Sequence, residues 1–251
     1  MPAQHQAPTP SATAATPPCC VAIMQPYFLP YIGYYQLIAA VDRFVVYDNI
    51  QYTKKGWINR NRILRRDGCT ALISLPLMSD SAALDVRQRQ LAGAFRRDKL
   101  LNQIREAYHD APQFARVYPV VEQVVNCSEN NLFAYLFHSL TTVCTYLEIA
   151  TPLVVSSSLP IDHRLHGQDK VLALCHQLAA SRYVNPIGGL GLYSRDCFSA
   201  NGIELKFLQA RPSAYAQRRN DFVPALSIVD VMMFNPLADV RRQLAQDYEL
   251  L

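Results

Sequence analysis

A chain of 251 residues, half of them hydrophobic, can bury a large core, and that composition excludes general disorder. Its formal net charge of +4 is mild for the length, so no global field for a nucleic-acid duplex is implied. The seven cysteines (19, 20, 69, 127, 144, 175 and 197) are scattered, odd in number and never spaced as C-x-x-C, a pattern of reduced thiols rather than of a disulfide frame or a zinc site.

Residues 1–18, MPAQHQAPTPSATAATPP, lack the basic start and apolar centre of a secretory signal and read as a mobile tail. No run approaches the roughly 18 apolar residues needed to span a bilayer, and a cytoplasmic location is expected. Residues 21–24 are apolar and short enough for a buried strand, which Gln25-Pro26 ends. A helix over about 31–40 and a strand over 43–47 follow, giving a βαβ unit whose first loop and second strand end share one edge of a sheet. Residues 70–75 read as a third strand closed by Pro76, whereas 84–97 has no clear period. Apolar spacings of three and four predict helices over 100–108, 114–125 and 132–147. The second half returns to alternation, with strands at 153–155, 182–184 and 203–208, a helix at 171–179, and closing helices at 228–234 and 237–248. The expected architecture is α/β: a Rossmann-like, mostly parallel sheet in a single domain over 19–251, with a helical insertion at about 98–149.

Ligand sites in open α/β sheets collect at the carboxyl ends of strands. There the first two loops carry Gln25, Tyr27, Tyr31, Asp48, Gln51, Lys54, Lys55, Asn59, Arg60, Asn61 and Arg62. Of the tyrosines 27, 31, 34 and 35, most are expected to be core anchors with a wet hydroxyl, positions 31, 34 and 35 sharing one helix face. Gly33, in the first helical turn, leaves room for a phosphate at the helix amino end. Between Lys54 and Arg66 stand six basic residues and no acid, a local concentration suited to an anionic group. If KKGWINRNR is extended, Trp57, Asn59 and Asn61 point one way, and Ile58, Arg60 and Arg62 the other, so that the two arginines can grip a phosphate. A solvated basic hairpin is the bland alternative.

A second edge follows the strand at 153–155. In SSSLPIDHRLHGQDK, His166, Asp169 and Lys170 flank a helix start; His163 and His166 have no third partner with metal-ligand spacing, so no metal is expected. Asn185, Gly188 and Gly189 of NPIGG follow another strand as a glycine turn that can admit a ligand. Ser227 and Asp230 form an imperfect capping box with a structural role. No G-x-S-x-G, H-E-x-x-H or Walker A sequence is present.

The runs MQPYFLPYIGYYQLI, VVYDNIQYTKKGWINRNRI, HGQDKV, YVNPIGG and FVPALSIVDVMMFN resemble, in the same order, the WbqC-like family of bacterial proteins, over roughly residues 21–250. The resemblance implies a role in O-antigen and other surface polysaccharide synthesis, with glycyl transfer to an amino sugar as one suggested activity. It supplies no catalytic residues. The expected protein is therefore a transferase that modifies a phosphate-bearing substrate, a nucleotide-linked amino sugar, with glycyl or another aminoacyl group. Asp48 would serve as base, Lys54 and Arg60 would act with it, and Lys55 and Arg62 would join them in neutralising phosphate. The stretch LPYIGYYQLI also looks like the strand-loop-helix of HIGH-motif nucleotidyltransferases, with Tyr31 and Tyr34 in the histidine places. That alternative implies ATP or another nucleotide as ligand. A non-catalytic scaffold of glycan assembly is the third reading.

Overall fold

The computed structural model describes residues 19–218 and 221–251; the expected tail, 1–18, lies outside the described residues. Five short apolar runs form parallel strands: β1 (Cys19–Met24), β2 (Arg43–Val46), β5 (Leu153–Val155), β6 (Ala180–Pro186) and β7 (Glu204–Ala210). A sixth strand, β8 (Tyr248–Leu250), pairs antiparallel with β7, and the order across the sheet is β5-β2-β1-β6-β7-β8. Counting only the parallel strands in chain order, the sheet runs 3-2-1-4-5. The chain builds outward from β1 on one side and then restarts on the other, so the switch point of this Rossmann-like sheet lies between β1 and β6.

The pleat explains why both faces are covered. Along β1, Val21 and Ile23 enter one core and Ala22 the other; Val45 and Tyr183 side with the first pair, Phe44, Val46 and Val184 with Ala22. Helices α5 (Gly167–Gln177) and α6 (Arg195–Ala200) cover the Val21 face. The opposite face carries α1 (Ile32–Ala39), α7 (Ile228–Phe234) and α8 (Leu237–Gln246). The same core takes in α2 (Arg97–Tyr108), α3 (Phe114–Val125) and α4 (Leu132–Tyr146), which precede β5 in the chain.

Several elements differ from the sequence expectation. The strand at 70–75, β4 (Thr70–Ser74), does not join the main sheet; it pairs antiparallel with β3 (Arg60–Leu64) in a two-stranded ribbon. The unassigned stretch contains a 3-10 turn, Val86–Gln88, closed by reciprocal bonds between Asp85 and Gln88. Helix α1 is not one-faced: from Ile32 to Ile38 every residue is buried. Gln36 is tolerated inside because its amide donates to the carbonyls of Gln243 and Asp247, each at 2.9 Å, tying α1 to the end of α8. The imperfect capping box is half kept. Ser227 accepts from the Val229 N–H, but the Asp230 carboxylate turns into the core, where it accepts from Tyr108 Oη (2.8 Å), Tyr215 Oη (2.6 Å) and Gln217 Nε2 (2.8 Å). Burial raises its pKa despite these three donors.

Candidate functional site

The loop between β1 and α1 is fixed before any ligand is considered. Leu29 is fully buried and has φ 43°, a left-handed conformation unfavourable for a branched side chain. Its carbonyl accepts from Asn61 Nδ2 at 2.7 Å and from Ser227 Oγ at 2.8 Å, so the ribbon and α7 clamp the loop from two sides. Asn61 Nδ2 also lies 3.3 Å from the Phe28 carbonyl, and the Phe28 N–H donates to the Ile58 carbonyl at 2.9 Å. Asn61 is thus a buried clamp of this loop.

Beyond the clamp, the carboxyl ends of β1 and β6 open into a crevice of about 530 Å³. Its polar lining comes from Gln25, Tyr27, Tyr31, Tyr47, Asn185 and Tyr193. Trp57 closes one rim and Leu192 the other, 43% and 69% exposed. Gly33, Gly188 and Gly189 contribute backbone. No charged side chain is among the residues that line this crevice. A larger depression of about 730 Å³ lies between α3 and α4 on the helical surface, away from the strand ends.

A smaller cavity of about 190 Å³ adjoins the crevice, sharing Tyr27, Tyr31 and Trp57, and it brings in Asn61 and Arg62. The Arg62 guanidinium stands 5.6 Å from the centre of the Trp57 ring, and its buried Nε has no hydrogen-bond partner. Arg62 is therefore a cation with an unspent donor at the side of an uncharged crevice.

The remaining sequence-named residues fall elsewhere. Asp48, 2% exposed, accepts at one oxygen from Ser156 Oγ (2.8 Å) and the Ser157 N–H (2.9 Å), joining the end of β2 to the end of β5. It pairs with neither Lys54 nor Arg60. Arg60 Nε donates to the Gly56 carbonyl at 2.9 Å and Nη2 to the Lys54 carbonyl at 3.1 Å, bracing its own loop, while Lys54 and Lys55 are exposed. Asn59 donates to the Leu75 carbonyl and accepts from Tyr52 Oη, each at 2.8 Å. Gln51 donates to the Ala82 carbonyl at 2.9 Å. The expected alternation in 57–62 fails because Ile58 and Asn61 are both buried, the strand beginning only at Arg60. Arg60 and Arg62 consequently do different things.

His166 and Asp169 are exposed at the start of α5. Lys170 is buried; its ammonium lies 3.4 Å from the Asn49 carbonyl, 3.3 Å from the His163 carbonyl and 5.0 Å from the centre of the Tyr47 ring, and desolvation lowers its pKa. Asn49 Nδ2 stands 2.9 Å from His163 Nδ1, so this second edge docks on the first through structural bonds. Among the described residues no group of three His, Cys, Asp or Glu side chains is placed to hold a metal ion.

Two tyrosines define what the crevice can do chemically. Burial raises the pKa of both Tyr27 and Tyr31, so near neutral pH they are hydrogen-bonding phenols and not bases. Tyr27 Oη accepts from Gln25 Nε2 at 2.6 Å, and Tyr34 Oη donates to the Gln25 carbonyl at 3.0 Å. The Tyr31 ring folds over Gly33: a Cβ on that glycine would stand 2.6 Å from Tyr31 Cζ and 2.7 Å from its hydroxyl oxygen. The glycine expected to admit a phosphate thus admits the Tyr31 ring, which sits across the amino end of α1. Sequence reading missed Trp57, Tyr47, Tyr193 and Leu192 as lining; an exposed indole beside a basic run was the one available signal.

The sequence profile of the WbqC-like protein family matches residues 25–242. The chain belongs to the WbqC-like protein family. Over 219 residues, 86% of this chain and 93% of the other, this WbqC-like protein is 30% identical to the uncharacterized protein Rv1507c of Mycobacterium tuberculosis. No solved structure matches it significantly. The matched region takes in the crevice lining from Gln25 through the NPIGG turn, leaving out only Ile23 and Met24 of β1. No helix among the described residues is long and apolar enough to cross a membrane.

Proposed function

We propose that this WbqC-like protein is a transferase of bacterial surface polysaccharide (O-antigen) biosynthesis that modifies a nucleotide-linked amino sugar by glycyl or other aminoacyl transfer. The observation that carries the reading is the division between an uncharged crevice at the switch point and a cation at its side. A nucleotide sugar has the matching division: neutral rings joined by an anionic diphosphate. Rings enter the crevice against Trp57, Tyr31 and Tyr27, where burial of planar surface is favourable. The diphosphate lies toward Arg62, whose guanidinium, beside Trp57 in the adjoining cavity, can engage phosphate oxygens. Lys54 and Lys55, exposed on the same loop as Trp57, add attraction at longer range.

In such a transfer, the sugar amine attacks an activated acyl carbonyl, the C–N bond forms, and the leaving group departs with the bonding pair while the amine loses a proton. Tyr31 is suited to donate to the carbonyl oxygen as charge develops there, because its phenol stays protonated near neutral pH. This reading assigns Asp48 to the structural tie with Ser156 and Ser157, not to the base role. The amine therefore enters in its neutral form, its proton lost to solvent.

A nucleotidyltransferase-like reading has one specific support, the 3-2-1-4-5 order with the Tyr31-Ile32-Gly33-Tyr34 turn directly after β1. It requires the Tyr31 ring to swing off the helix amino end. The test is titration with uridine, thymidine and guanosine diphosphate sugars, read by the fluorescence of Trp57, the sole tryptophan, followed by mass spectrometry for an acylated amino sugar. Saturable binding of at least one nucleotide sugar is expected. Absence of binding across the panel would remove the transferase reading.

A further inference from the structure

Within the crevice, Asn185 is 5% exposed and occupies the carboxyl end of β6, beside the switch point. A carboxamide in such a place can present either its oxygen or its N–H₂ group to a ligand. Here the choice is made by the protein. Asn185 Oδ1 accepts from Tyr183 Oη at 3.2 Å, and Tyr183 is fully buried and stacked on Phe198 with ring centroids 5.4 Å apart. Burial keeps that phenol protonated, so it remains a donor and holds Oδ1. The amide nitrogen has only the carbonyl of the adjacent Pro186, at 3.5 Å. The turn at 187–192 is shaped around it: a Cβ on Gly189 would overlap Asn185 Nδ2 and stand 3.1 Å from its Cγ. A buried donor is thus oriented, seated against backbone and left with capacity to spend in a crevice without charges.

We propose that Asn185 is the specificity-determining residue of the crevice, its Nδ2 donating to an amide-type carbonyl oxygen of the ligand. Two parts of a nucleotide sugar carry such an oxygen: a keto nucleobase and the N-acyl group of an amino sugar. The proposal rests on the nucleotide-sugar reading above and adds the feature that is recognised. An ionised oxygen is disfavoured in this position, because the lining supplies no cation to offset its desolvation.

Two pairs of probes separate the two sources. Uridine diphosphate against adenosine diphosphate tests the base carbonyl, and uridine diphosphate N-acetylglucosamine against uridine diphosphate glucose tests the acyl carbonyl. One pair is expected to differ by about ten-fold or more in Kd for the wild-type chain, since a site built to donate rejects a ligand that cannot accept. Asn185→Asp keeps the shape and replaces the donor by an acceptor, and it should erase that preference. Gly189→Ala leaves Asn185 in place but displaces its amide, and it should erase the preference too. Asn185→Ala replaces either variant if circular dichroism shows it unfolded. Nucleotide binding without either preference in the wild-type chain, or a preference that survives these substitutions, would overturn the role of Asn185 and leave the nucleotide-sugar reading standing. Failure of all four probes, together with every sugar of the uridine, thymidine and guanosine diphosphate panel, to bind would remove both.

Discussion

Asp48 was the attractive base in the sequence and is a strand tie in the structure, and one pair of substitutions decides between these roles. In Asp48→Ala, the Ser157 N–H loses a carboxylate acceptor at 2.9 Å, and Ser156 Oγ keeps only Asn49 Oδ1, at 2.6 Å. Hydrogen bonds to charged groups contribute about 1.5–3 kcal/mol each, and one of the two is replaceable here, so the loss is about 1.5–3 kcal/mol. A chain of this size loses about 2–4 °C of Tm per kcal/mol, which gives a fall of about 3–12 °C. Asp48→Asn retains an oxygen that can accept from both serines and should melt within about 1 kcal/mol of wild type. Differential scanning calorimetry measures the order wild type, Asn variant, Ala variant. Equal melting of Asp48→Ala and wild type would refute the strand-tie reasoning. A folded Asp48→Asn with abolished turnover and unchanged substrate affinity would return Asp48 to the base role.

Gly33→Val must displace the Tyr31 ring from the crevice wall and also fills the amino end of α1, so nucleotide affinity should fall by about ten-fold or more, with the fold retained by circular dichroism; wild-type affinity would count against both the Tyr31 ring contact and the nucleotidyltransferase-like reading. Arg62→Ala should weaken binding of nucleoside diphosphates by about 1.5–3 kcal/mol, whereas Arg60→Ala, whose donors are bound to Gly56 and Lys54, should leave affinity near wild type by calorimetric titration. Equal losses in the two variants would contradict their separation. Asp230 has a raised pKa in the folded chain, so the stability gained by its protonation is fully present below the unfolded value and is lost as pH rises through the folded one. Wild type should therefore lose ground to Asp230→Asn as pH rises above the ordinary carboxylate range in urea unfolding; a difference that does not change with pH would refute the assignment.

The periodic elements were legible because local pattern and packing agree in them. Helix α3 begins and ends where apolar spacing places it, since its buried face repeats at three and four residues, whereas α7 keeps its expected bounds with six consecutive residues buried. The edge strand β8 was not legible: three residues behind a helix carry too little pattern, and their pairing partner lies on β7. The site was legible to the level of which loops meet. Gln25, Tyr27, Tyr31, Gly33, Asn185, Gly188 and Gly189 share one crevice, while Asp48, Gln51, Asn59 and Arg60 spend their polar groups on protein partners. Those partners could not be read from spacing. Asp48 reaches Ser156 and Asn61 reaches Leu29, contacts set by topology, so an acid at a strand end and an asparagine in a basic run looked alike as ligand groups.

The clamp on Leu29 shows what such structural polar groups do at the edge of the crevice. A buried residue at φ 43° is unfavourable by itself and persists only if its surroundings over-determine it. Asn61 arrives from the ribbon and Ser227 from the start of α7, and both donate to the same carbonyl. Ser227 N–H in turn donates to the Arg62 carbonyl at 2.9 Å, which links the clamp to the residue that carries the cation. Tyr27 and Tyr31, two residues on either side of Leu29, therefore face the crevice from a loop that cannot relax locally, and Arg62 is placed by the same set of bonds. For the proposed nucleotide-sugar ligand, rings and cation would be held at a fixed separation before it arrives. The ordering cost of placing one against the other is thus met in folding and not in binding, the condition under which a few neutral hydrogen bonds can discriminate among ligands.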